Sequence, residues 1–290
     1  MSLPGVVYVN GTVTTADHAV IPVFDHGFLY GEGVYETLRT YHRQPFLFAE
    51  HMARLRRSAA LMGLAVPFSD QDMSSWMIRT MDAHDQLAAP LTEAYIRVLL
   101  TRGVGPLTYD PASCPRPSVV IIVKEFPSPP ERTFTHGITV SLVGIRRNHP
   151  EALNPAIKSN NLLNNALAMQ EALSAHADEA LMCNQDGHVV ECSQSNFFVV
   201  RNGRVQTAPL ADGLLPGVTR AFVIVLADEL GVGVDQASMT PDDVLAADEA
   251  FITGTTREVT PVVRVNEHVI GNGAPGPITQ ALLMAFRARV

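Results

Sequence analysis

Hydrophobic and polar residues follow one another along this chain in short periodic segments bounded by turn residues. The segment VYVNGTVTTA places Asn10-Gly11 between two β-rich runs, which is the strongest short signal for a β-hairpin. A strand is predicted from Val34 to Tyr41, and HRQP then forms a turn. Apolar residues return every three or four positions from Phe48 to Leu61, and Gly63 ends the run, so this pattern predicts a helix.

The next segments complete one compact half of the chain. A helix begins at Ser69, whose hydroxyl forms a capping box with Asp72, and it ends near Leu87. The runs EAYIRVLL and SVVIIV predict two strands. KEFPSPPERTFTH, residues 124–136, has three prolines and no helical or alternating spacing, which is typical of a linker. We therefore expect a small N-terminal domain over 1–124, a linker over 125–136 and a larger domain over 137–290.

The second half begins with a predicted strand from Ile138 to Gly144. EALMCNQDGHVVECSQSNFFVVRNGRVQTA carries Asp-Gly and Asn-Gly turns between β-rich runs, which predicts an antiparallel meander. LPGVTRAFVIVLADELG predicts a helix ended by Gly231, and DEAFITGTTREVTPVVRV predicts a strand, a tight loop and a strand. Hairpins and helices in clusters, without regular βαβ alternation, favour an α+β fold.

Composition restricts the class of function. The chain is 47% hydrophobic with a formal net charge of −8, so it can bury a core and lacks the clustered cations that nucleic acid requires. No window of about 18 uninterrupted apolar residues occurs, and the N-terminus does not resemble a signal peptide, so a cytoplasmic location is expected and no membrane association. Three cysteines without CxxC spacing, and ten histidines without ligand spacing, predict neither disulfides nor a metal site.

Lysine is rare in this chain. Only Lys124 and Lys158 occur among its 21 basic Lys and Arg residues. Arginine keeps its proton under protein conditions, whereas a lysine amine can become neutral and nucleophilic when positive charge or apolar surroundings lie nearby. Lys158 follows an isoleucine and precedes a predicted helix that Ser159 or Asn160 would cap.

The apolar face of that helix is predicted from four residues: Leu162, Ala166, Met169 and Leu173. Exposed N–H groups at its start would disfavour the charged form of Lys158. The residues thus indicate a Schiff-base lysine, and a solvent-exposed lysine before a helix is the alternative.

A Schiff-base lysine implies a carbonyl partner, and pyridoxal phosphate (PLP) is the usual one. PLP needs a phosphate cradle and a carboxylate at its pyridine nitrogen. LLPGVTR, residues 214–220, enters a helix at which the N–H groups of Val218 and Thr219 would face an anion. TGTT, residues 253–256, is a second loop rich in donors, and Glu191 follows a strand. Each of these features alone also fits an ordinary structural role.

Together these segments resemble the class IV, or fold-type IV, PLP-dependent aminotransferases, and in particular the branched-chain aminotransferases. YGEGVYETLR resembles the glycine motif of the family, EHMARL its phosphate-arginine helix and IKSNNLLNN its lysine segment. ECSQSNFF, LPGVTR and ITGTTREVTPV follow in the family's order. The resemblance implies a small N-terminal α/β domain and a larger C-terminal domain with a β-barrel-like core, with the cofactor between them.

The resemblance also implies roles for individual residues. Lys158 would form the internal aldimine and move the α-proton, and Glu191 would pair with the protonated pyridine nitrogen. Residues implied at the phosphate and ring are Arg54, Thr219, Thr255, the backbone of Val218 and Thr256, and Leu215 against the ring. Members of the family are homodimers or larger, and the loop from Val104 to Tyr109 would close a neighbouring subunit's pocket.

The substrate motifs divide between subfamilies. Tyr95 and Arg97 form a Tyr-x-Arg arrangement similar to that of branched-chain aminotransferases, and Tyr30 and Tyr35 match their aromatic pocket positions. Leu163 instead resembles D-amino-acid transaminases. Thr37 matches 4-amino-4-deoxychorismate lyases, although Leu107 replaces the loop arginine of both these groups. We expect transfer between a branched-chain or other apolar L-amino acid and 2-oxoglutarate, with D-amino acid or (R)-amine transamination and then the lyase as alternatives.

Overall fold

A computed structural model describes residues 5–290 of the chain, which adopts the predicted α+β fold. The chain divides into two compact units. The first runs to Pro127 and also includes Ile157–Asn161, and the second consists of Ser128–Ala156 and Leu162–Val290. The domain limits predicted from the sequence stay a prediction. Within residues 5–290, no helix is both long enough and apolar enough to cross a membrane.

The first unit is a six-stranded sheet with helices against one of its faces. Its elements are β1 (Val6–Val9), β2 (Thr12–Thr15), a 3₁₀ turn (Ala16–His18), α1 (His26–Leu29), β3 (Gly33–Tyr41), β4 (Gln44–Pro45), α2 (Phe48–Leu61), α3 (Asp70–Leu87), β5 (Ala94–Thr101), a second 3₁₀ turn (Pro111–Ser113) and β6 (Ser118–Glu125). The strand order is β2-β1-β6-β5-β3-β4. The two predicted helices, the Asn10-Gly11 hairpin and the Ser69–Asp72 capping box are confirmed.

The two faces of this sheet differ because side chains alternate along each strand. Even-numbered residues of β3, such as Val34 and Leu38, are fully buried in a core that contains Met52 and Leu55 of α2. Odd-numbered residues of β3 and β5 lie on the other face and are mostly half-buried. This second face, which we call the open face, carries Tyr35, Thr37, Tyr95 and Arg97.

The segment Ile157–Asn161 extends the sheet at the edge of β3. The Tyr35 N–H donates to the carbonyl of Lys158 (2.9 Å), and the Asn160 N–H donates to the carbonyl of Gly33 (2.8 Å). Val34 and Ser159 form the bridge between them. The backbone of this segment is therefore held as a short additional strand.

The second unit contains a larger sheet with helices around it. Its elements are α4 (Arg132–Thr135), β7 (Ile138–Leu142), α5 (Leu163–Ser174), β8 (Glu179–Cys183), β9 (Val189–Cys192), β10 (Asn196–Arg201), β11 (Arg204–Thr207), a 3₁₀ turn (Leu210–Asp212), α6 (Val218–Glu229), β12 (Val234–Gln236), α7 (Pro241–Leu245), β13 (Glu249–Gly254), β14 (Glu258–Val265), β15 (His268–Val269) and α8 (Pro277–Arg287). The predicted meander and the helix that Gly231 terminates are confirmed.

Six strands of this sheet close into a barrel, which confirms the predicted barrel-like core. The strand order β10-β13-β14-β7-β8-β9 returns to β10 through a single pair, Asn196 opposite Glu191. Apolar side chains such as Phe197, Val199 and Ile252 fill the core. The pair that closes the barrel thus contains Glu191, the carboxylate predicted to lie at the pyridine nitrogen.

Residues 124–136 contain the end of β6 at Glu125 and a helical turn at Arg132–Thr135, and their assignment as a linker stays a prediction. The predicted cap of the lysine-segment helix was wrong. Helix α5 begins only at Leu163, and neither Ser159 nor Asn160 caps it, because the backbone of that segment pairs with β3 instead.

The buried face of α5 also differs from the prediction. Ala168 and Ala172 are fully buried against β8, while Leu173 is exposed. The predicted face member Ala166 is exposed as well. Two alanines allow the helix to approach the sheet closely, and this orientation turns the leucines of the opposite side outward.

Candidate active site

Lys158 is fixed by its backbone, and its side chain extends over an aromatic ring. The Lys158 N–H donates to the Ser58 hydroxyl of α2 (3.1 Å), and its carbonyl accepts from Tyr35. Its Nζ lies 4.5 Å from the centroid of the Tyr35 ring. The amine is half-buried, so it is positioned by the fold while remaining within reach of a ligand.

Tyr35 brings a second cation to the same place. The Cζ atom of Arg97 lies 4.0 Å from the Tyr35 ring centroid, which is cation–π geometry. Thr37 is directly opposite Arg97 in the register of β3 and β5, and Tyr95 lies two residues away on β5. Four predicted pocket residues thus share the open face of the first sheet with the predicted nucleophile.

Arg54 lies on α2 and is bound to a buried carboxylate. Its Nε and Nη2 atoms each donate to one oxygen of Glu36 at 2.7 Å, in the two-pronged geometry that makes such pairs strong. The Nδ1 atom of His51 donates to the same carboxylate at 2.7 Å. Burial alone would raise the pKa of Glu36, but the charge and hydrogen bonds of Arg54, followed by those of His51, lower it to about 2.

This cluster predicts acid sensitivity. The pKa of Glu36 in the folded chain lies below its ordinary value of 4.5, so its contribution to stability is complete above pH 4.5 and is lost as the pH falls toward 2. Burial also lowers the pKa of His51, which destabilises the folded state at acid pH in the same direction. We expect the free energy of unfolding to fall steeply over this range, and to fall less steeply in Glu36→Gln. Urea titrations of both proteins between pH 2 and 6 would measure this, and parallel curves would contradict the prediction.

Glu191 of β9 is held at both carboxylate oxygens. The Nε atom of Arg147 donates to Oε1 at 2.7 Å, while the backbone N–H of Leu215 (3.1 Å) and the side-chain amide of Asn196 (3.3 Å) donate to Oε2. Arg147 also donates to Asn164 at 3.1 Å. Arg147 and Glu191 are both buried, and the three donors hold the carboxylate in one orientation.

Next to this carboxylate, α6 begins at a glycine. Gly217 is the N-cap of α6 and supplies no side-chain cap, so the N–H groups of Val218 and Thr219 have no such partner at the first turn. A Cβ atom at position 217 would lie 1.9 Å from Oδ1 of Asn196, so only glycine fits. Helix N-termini of this kind bind anions.

The TGTT segment lies in the turn between β13 and β14. Thr253 pairs with Asn196 across the sheet, and Thr255 and Thr256 follow it in the half-exposed turn. The Thr253 hydroxyl is buried and has no hydrogen-bond partner within the described part of the chain. The strand register therefore brings this turn close to the Glu191 carboxylate within the second unit.

The remaining predicted residues lie on loops of the first unit. Tyr30 ends α1, and its ring packs 5.0 Å from that of Tyr109. Leu107 is exposed in the loop from Val104 to Tyr109. Tyr30 thus contacts the loop that carries Leu107, while the roles of all these residues in binding stay predictions.

Sequence reasoning missed five residues of this arrangement: Glu36, His51, Lys124, Arg147 and Asn196. A signal existed for Glu36, since it lies between Val34 and Leu38 on the apolar face of a strand, where a charge needs a buried partner. For Arg147 no local pattern pointed to Glu191, because the pairing joins residues 44 positions apart.

The residues of each unit, taken separately, suit groups of a phosphorylated aromatic aldehyde. In the second unit, an uncapped helix start and an unpartnered buried threonine hydroxyl offer donors to a phosphate, and an oriented carboxylate suits a protonated ring nitrogen. In the first unit, an amine positioned by its backbone suits an aldehyde. Among residues 5–290, no group of three or more His, Cys, Asp or Glu side chains could hold a metal ion. All three cysteines are free and buried.

Comparison with known proteins agrees with this chemistry. The family model described as amino-transferase class IV matches residues 33–265. A Methanocaldococcus jannaschii protein provisionally named a branched-chain-amino-acid aminotransferase is 39% identical over 97% of this chain and 95% of its own length. The D-alanine aminotransferase of Bacillus licheniformis is 34% identical over 97% of this chain and 95% of its own length.

Solved structures agree with these sequence relatives. The branched-chain amino acid aminotransferase of Escherichia coli superposes with a TM-score of 0.92, at 29% identity over 99% of this chain and 94% of its own. The family match spans most of the chain, and both relatives exceed 30% identity across nearly all of it. The chain therefore belongs to the class IV aminotransferases.

Proposed function

We propose that this chain is a PLP-dependent aminotransferase that moves an amino group between a branched-chain or other apolar L-amino acid and 2-oxoglutarate. The observation that carries this proposal is the convergence of Lys158 and Arg97 on the ring of Tyr35, with Nζ at 4.5 Å and Cζ at 4.0 Å from its centroid. This geometry supports a role for Lys158 as the transferring amine and for Arg97 as the anchor of a distant carboxylate, because both cations contact the same ring.

The residues that the family resemblance implies would hold the cofactor. Lys158 would bind it covalently through Nζ, and Glu191 would accept a hydrogen bond from its ring nitrogen. The phosphate would be held by Arg54, Thr219 and Thr255 together with backbone N–H groups of Val218 and Thr256, and Leu215 would pack against the ring. When bound, PLP supplies an aldehyde and a ring that withdraws electrons from the substrate carbon.

The surrounding side chains explain how the protein supports this chemistry. Arg147, Asn196 and the Leu215 N–H orient the Glu191 carboxylate, so that it would accept a hydrogen bond from the ring nitrogen of the cofactor. Lys158, released as a free amine, would take a proton at Nζ from the substrate carbon and return it at a neighbouring atom. The hydrogen bonds of its backbone keep Nζ in place during that transfer.

The open face also suits two kinds of substrate. The half-buried rings of Tyr35 and Tyr95 offer apolar surface to an aliphatic side chain, and Arg97 offers a guanidinium to a second carboxylate. An apolar pocket separates side chains that differ by one methylene by only about 1–3 kcal/mol. We therefore expect valine, leucine and isoleucine all to react.

D-amino acid transamination is the second candidate function. Its support is the similarity to the B. licheniformis D-alanine aminotransferase, together with an exposed leucine at position 163. (R)-amines would belong to the same alternative. A 4-amino-4-deoxychorismate lyase remains the least supported reading and would release pyruvate without an amino acceptor.

A substrate panel tests these assignments. L-leucine with 2-oxoglutarate should turn over fastest, while D-alanine and (R)-1-phenylethylamine should react at least about tenfold more slowly, equivalent to about 1.4 kcal/mol between competing transition states. Coupled assays of glutamate formation, with pyruvate as alternative acceptor, would measure the rates. Turnover of D-alanine without turnover of L-leucine would reverse the assignment.

We further propose that the protein is a homodimer. Apolar side chains are exposed on α1 and two adjoining loops of the first unit: Val20, Val23, Phe24, Phe28, Val104, Leu107 and Tyr109. The loops are joined by the Gly105 N–H, which donates to the carbonyl of Phe24 at 3.2 Å. Exposed apolar groups in such density are typical of interaction surfaces. Light scattering after gel filtration would measure the mass, and a monomer of 31.4 kDa would contradict the proposal.

The cytoplasmic location stays a prediction.

A further inference from the structure

The second lysine of the chain lies on the same open face as the first. Lys124 is on β6 directly opposite Tyr95 of β5, and its Nζ is 5.0 Å from the centroid of that ring. Arg39 of β3 lies opposite Tyr95 on its other side. Arg39, Tyr95 and Lys124 therefore form one row across three strands, so the two cations flank a tyrosine.

Arg97 lies in the next row of the same face. It is two residues from Tyr95 and opposite Ile122, so it stands diagonally to Lys124, with the rows about 7 Å apart along the strands. Lys158, Tyr35, Arg97, Tyr95 and Lys124 then form an alternating series of cations and tyrosine rings, which we call the cation–tyrosine strip. The strip begins at the predicted reactive amine and ends at Lys124.

The charge of Lys124 is not balanced by a carboxylate. Within residues 5–290 its half-buried ammonium group makes no hydrogen bond or ion pair, and the Tyr95 ring is its partner. Glu125, which follows Lys124, and Glu93, which precedes β5, are already engaged. Glu93 accepts from Thr40 and from backbone N–H groups at His42 and Arg43, and Glu125 accepts from the Thr92 N–H.

The charge of Arg97 is likewise not balanced by a carboxylate within residues 5–290. Its guanidinium has five donors but, in the described part of the chain, contacts the Tyr35 ring and no acceptor. Arg39 is buried between the rings of Tyr41 and Phe126, each 3.9 Å from its Cζ, and adds positive potential to the same row. The unbalanced charges of Lys124 and Arg97 on one sheet face attract an anion.

We propose that Lys124 is a specificity-determining residue that binds, together with Arg97, the distal carboxylate of dicarboxylic substrates. This inference rests on the proposed aminotransferase function and deepens it. Lys158 marks the reacting end of the strip, Arg97 its middle and Lys124 its far end. Dicarboxylic 2-oxo acids and the matching acidic amino acids should gain from Lys124, whereas apolar monocarboxylic substrates should not.

The test uses two ligands that bind without reacting. Isothermal titration of the PLP-loaded enzyme with glutarate and with 4-methylvalerate compares a dicarboxylate with an apolar monocarboxylate of similar length. Lys124→Met should raise the Kd of glutarate about fivefold, the size of one partly exposed charge pair, and leave that of 4-methylvalerate unchanged. Lys124→Arg should restore the wild-type Kd. Increasing salt should weaken glutarate binding more in wild type than in Lys124→Met.

The control variant is Arg79→Met, which makes the same change of net charge on the exposed side of α3. An equal loss of glutarate affinity in Arg79→Met and Lys124→Met would reduce the effect to net charge and overturn the inference. Unchanged glutarate binding in Lys124→Met, in an enzyme that transaminates L-leucine normally, would also overturn it while leaving the proposed function intact. A wild-type protein that neither takes up PLP nor transaminates would instead overturn the proposed function.

Discussion

Replacing Lys158 with alanine should abolish transamination, with a loss of at least about 10⁴-fold in kcat, the upper end of what one positioned acid–base group contributes. The loss should reach this limit because the same amine would also attach the cofactor. Borohydride reduction of the PLP-loaded wild type should leave the cofactor covalently attached to Lys158. The variant should carry no such attached cofactor, which we call the label. Steady-state kinetics and peptide mass spectrometry would measure both effects.

Two further variants make this result specific. Lys158→Arg should be as inactive as the alanine variant, because arginine keeps the positive charge but cannot act as a nucleophile. Lys124→Ala, the replacement of the other lysine, should keep the yellow colour and the label. The hydrogen bonds of Lys158 with Ser58 and Tyr35 use its backbone, and its side chain adds only a half-buried contact with the Tyr35 ring. Thermal unfolding of Lys158→Ala without cofactor should therefore stay close to that of cofactor-free wild type. Normal turnover by a folded Lys158→Ala protein would refute the proposed function.

Replacing Glu36 with glutamine should lower the free energy of unfolding at neutral pH by about 3–5 kcal/mol, because breaking a buried ion pair leaves an uncompensated charge. Glu36 is fully buried, and both oxygens accept from Arg54 or His51. Glutamine keeps the shape but cannot balance the Arg54 guanidinium. Urea denaturation at pH 7 would measure the difference.

An exposed pair of the same geometry provides the control. Arg204 donates from two nitrogens to the two oxygens of Asp235, at 2.8 and 2.7 Å, and both side chains are about half exposed. Asp235→Asn should change stability little, because solvent screens such pairs. Equal destabilisation by Glu36→Gln and Asp235→Asn would show that burial of the Glu36 pair has no special effect.

Local chemistry made much of the fold predictable from the sequence. Asn10-Gly11 adopts the positive φ values that a tight hairpin needs, and Ser69 with Asp72 forms the capping box that begins α3. Gly231, with φ of 71°, ends α6 as predicted. In each case the signal lies within a few residues, so no knowledge of distant contacts was required.

Predictions failed where a distant part of the chain decided the outcome. Ser159 and Asn160 are good capping residues, but β3 takes their backbone, and α5 therefore starts later. The spacing of Ala166 and Leu173 suggested a buried face, yet close packing against β8 favoured the smaller Ala168 and Ala172.

The same limit applies to the candidate site. Its motifs could be recognised singly, because each is contiguous in sequence. The hydrogen bond between Arg147 and Glu191 joins the segment after β7 to strand β9, and the two become neighbours only in the folded second unit. The row of Arg39, Tyr95 and Lys124 likewise requires the register of three strands. Pairings of this kind cannot be read from spacing along the chain.

The inclusion of Ile157–Asn161 in the first unit limits how the protein can be divided into fragments. Five residues belong to the first unit, although the chain before and after them belongs to the second. An expression fragment that stops at Pro127 would leave the Gly33–Tyr35 edge without its covering strand and open to aggregation. A single cut in the chain therefore cannot separate the two units. A fragment of the first unit would need the five residues that contain Lys158 as a separate peptide.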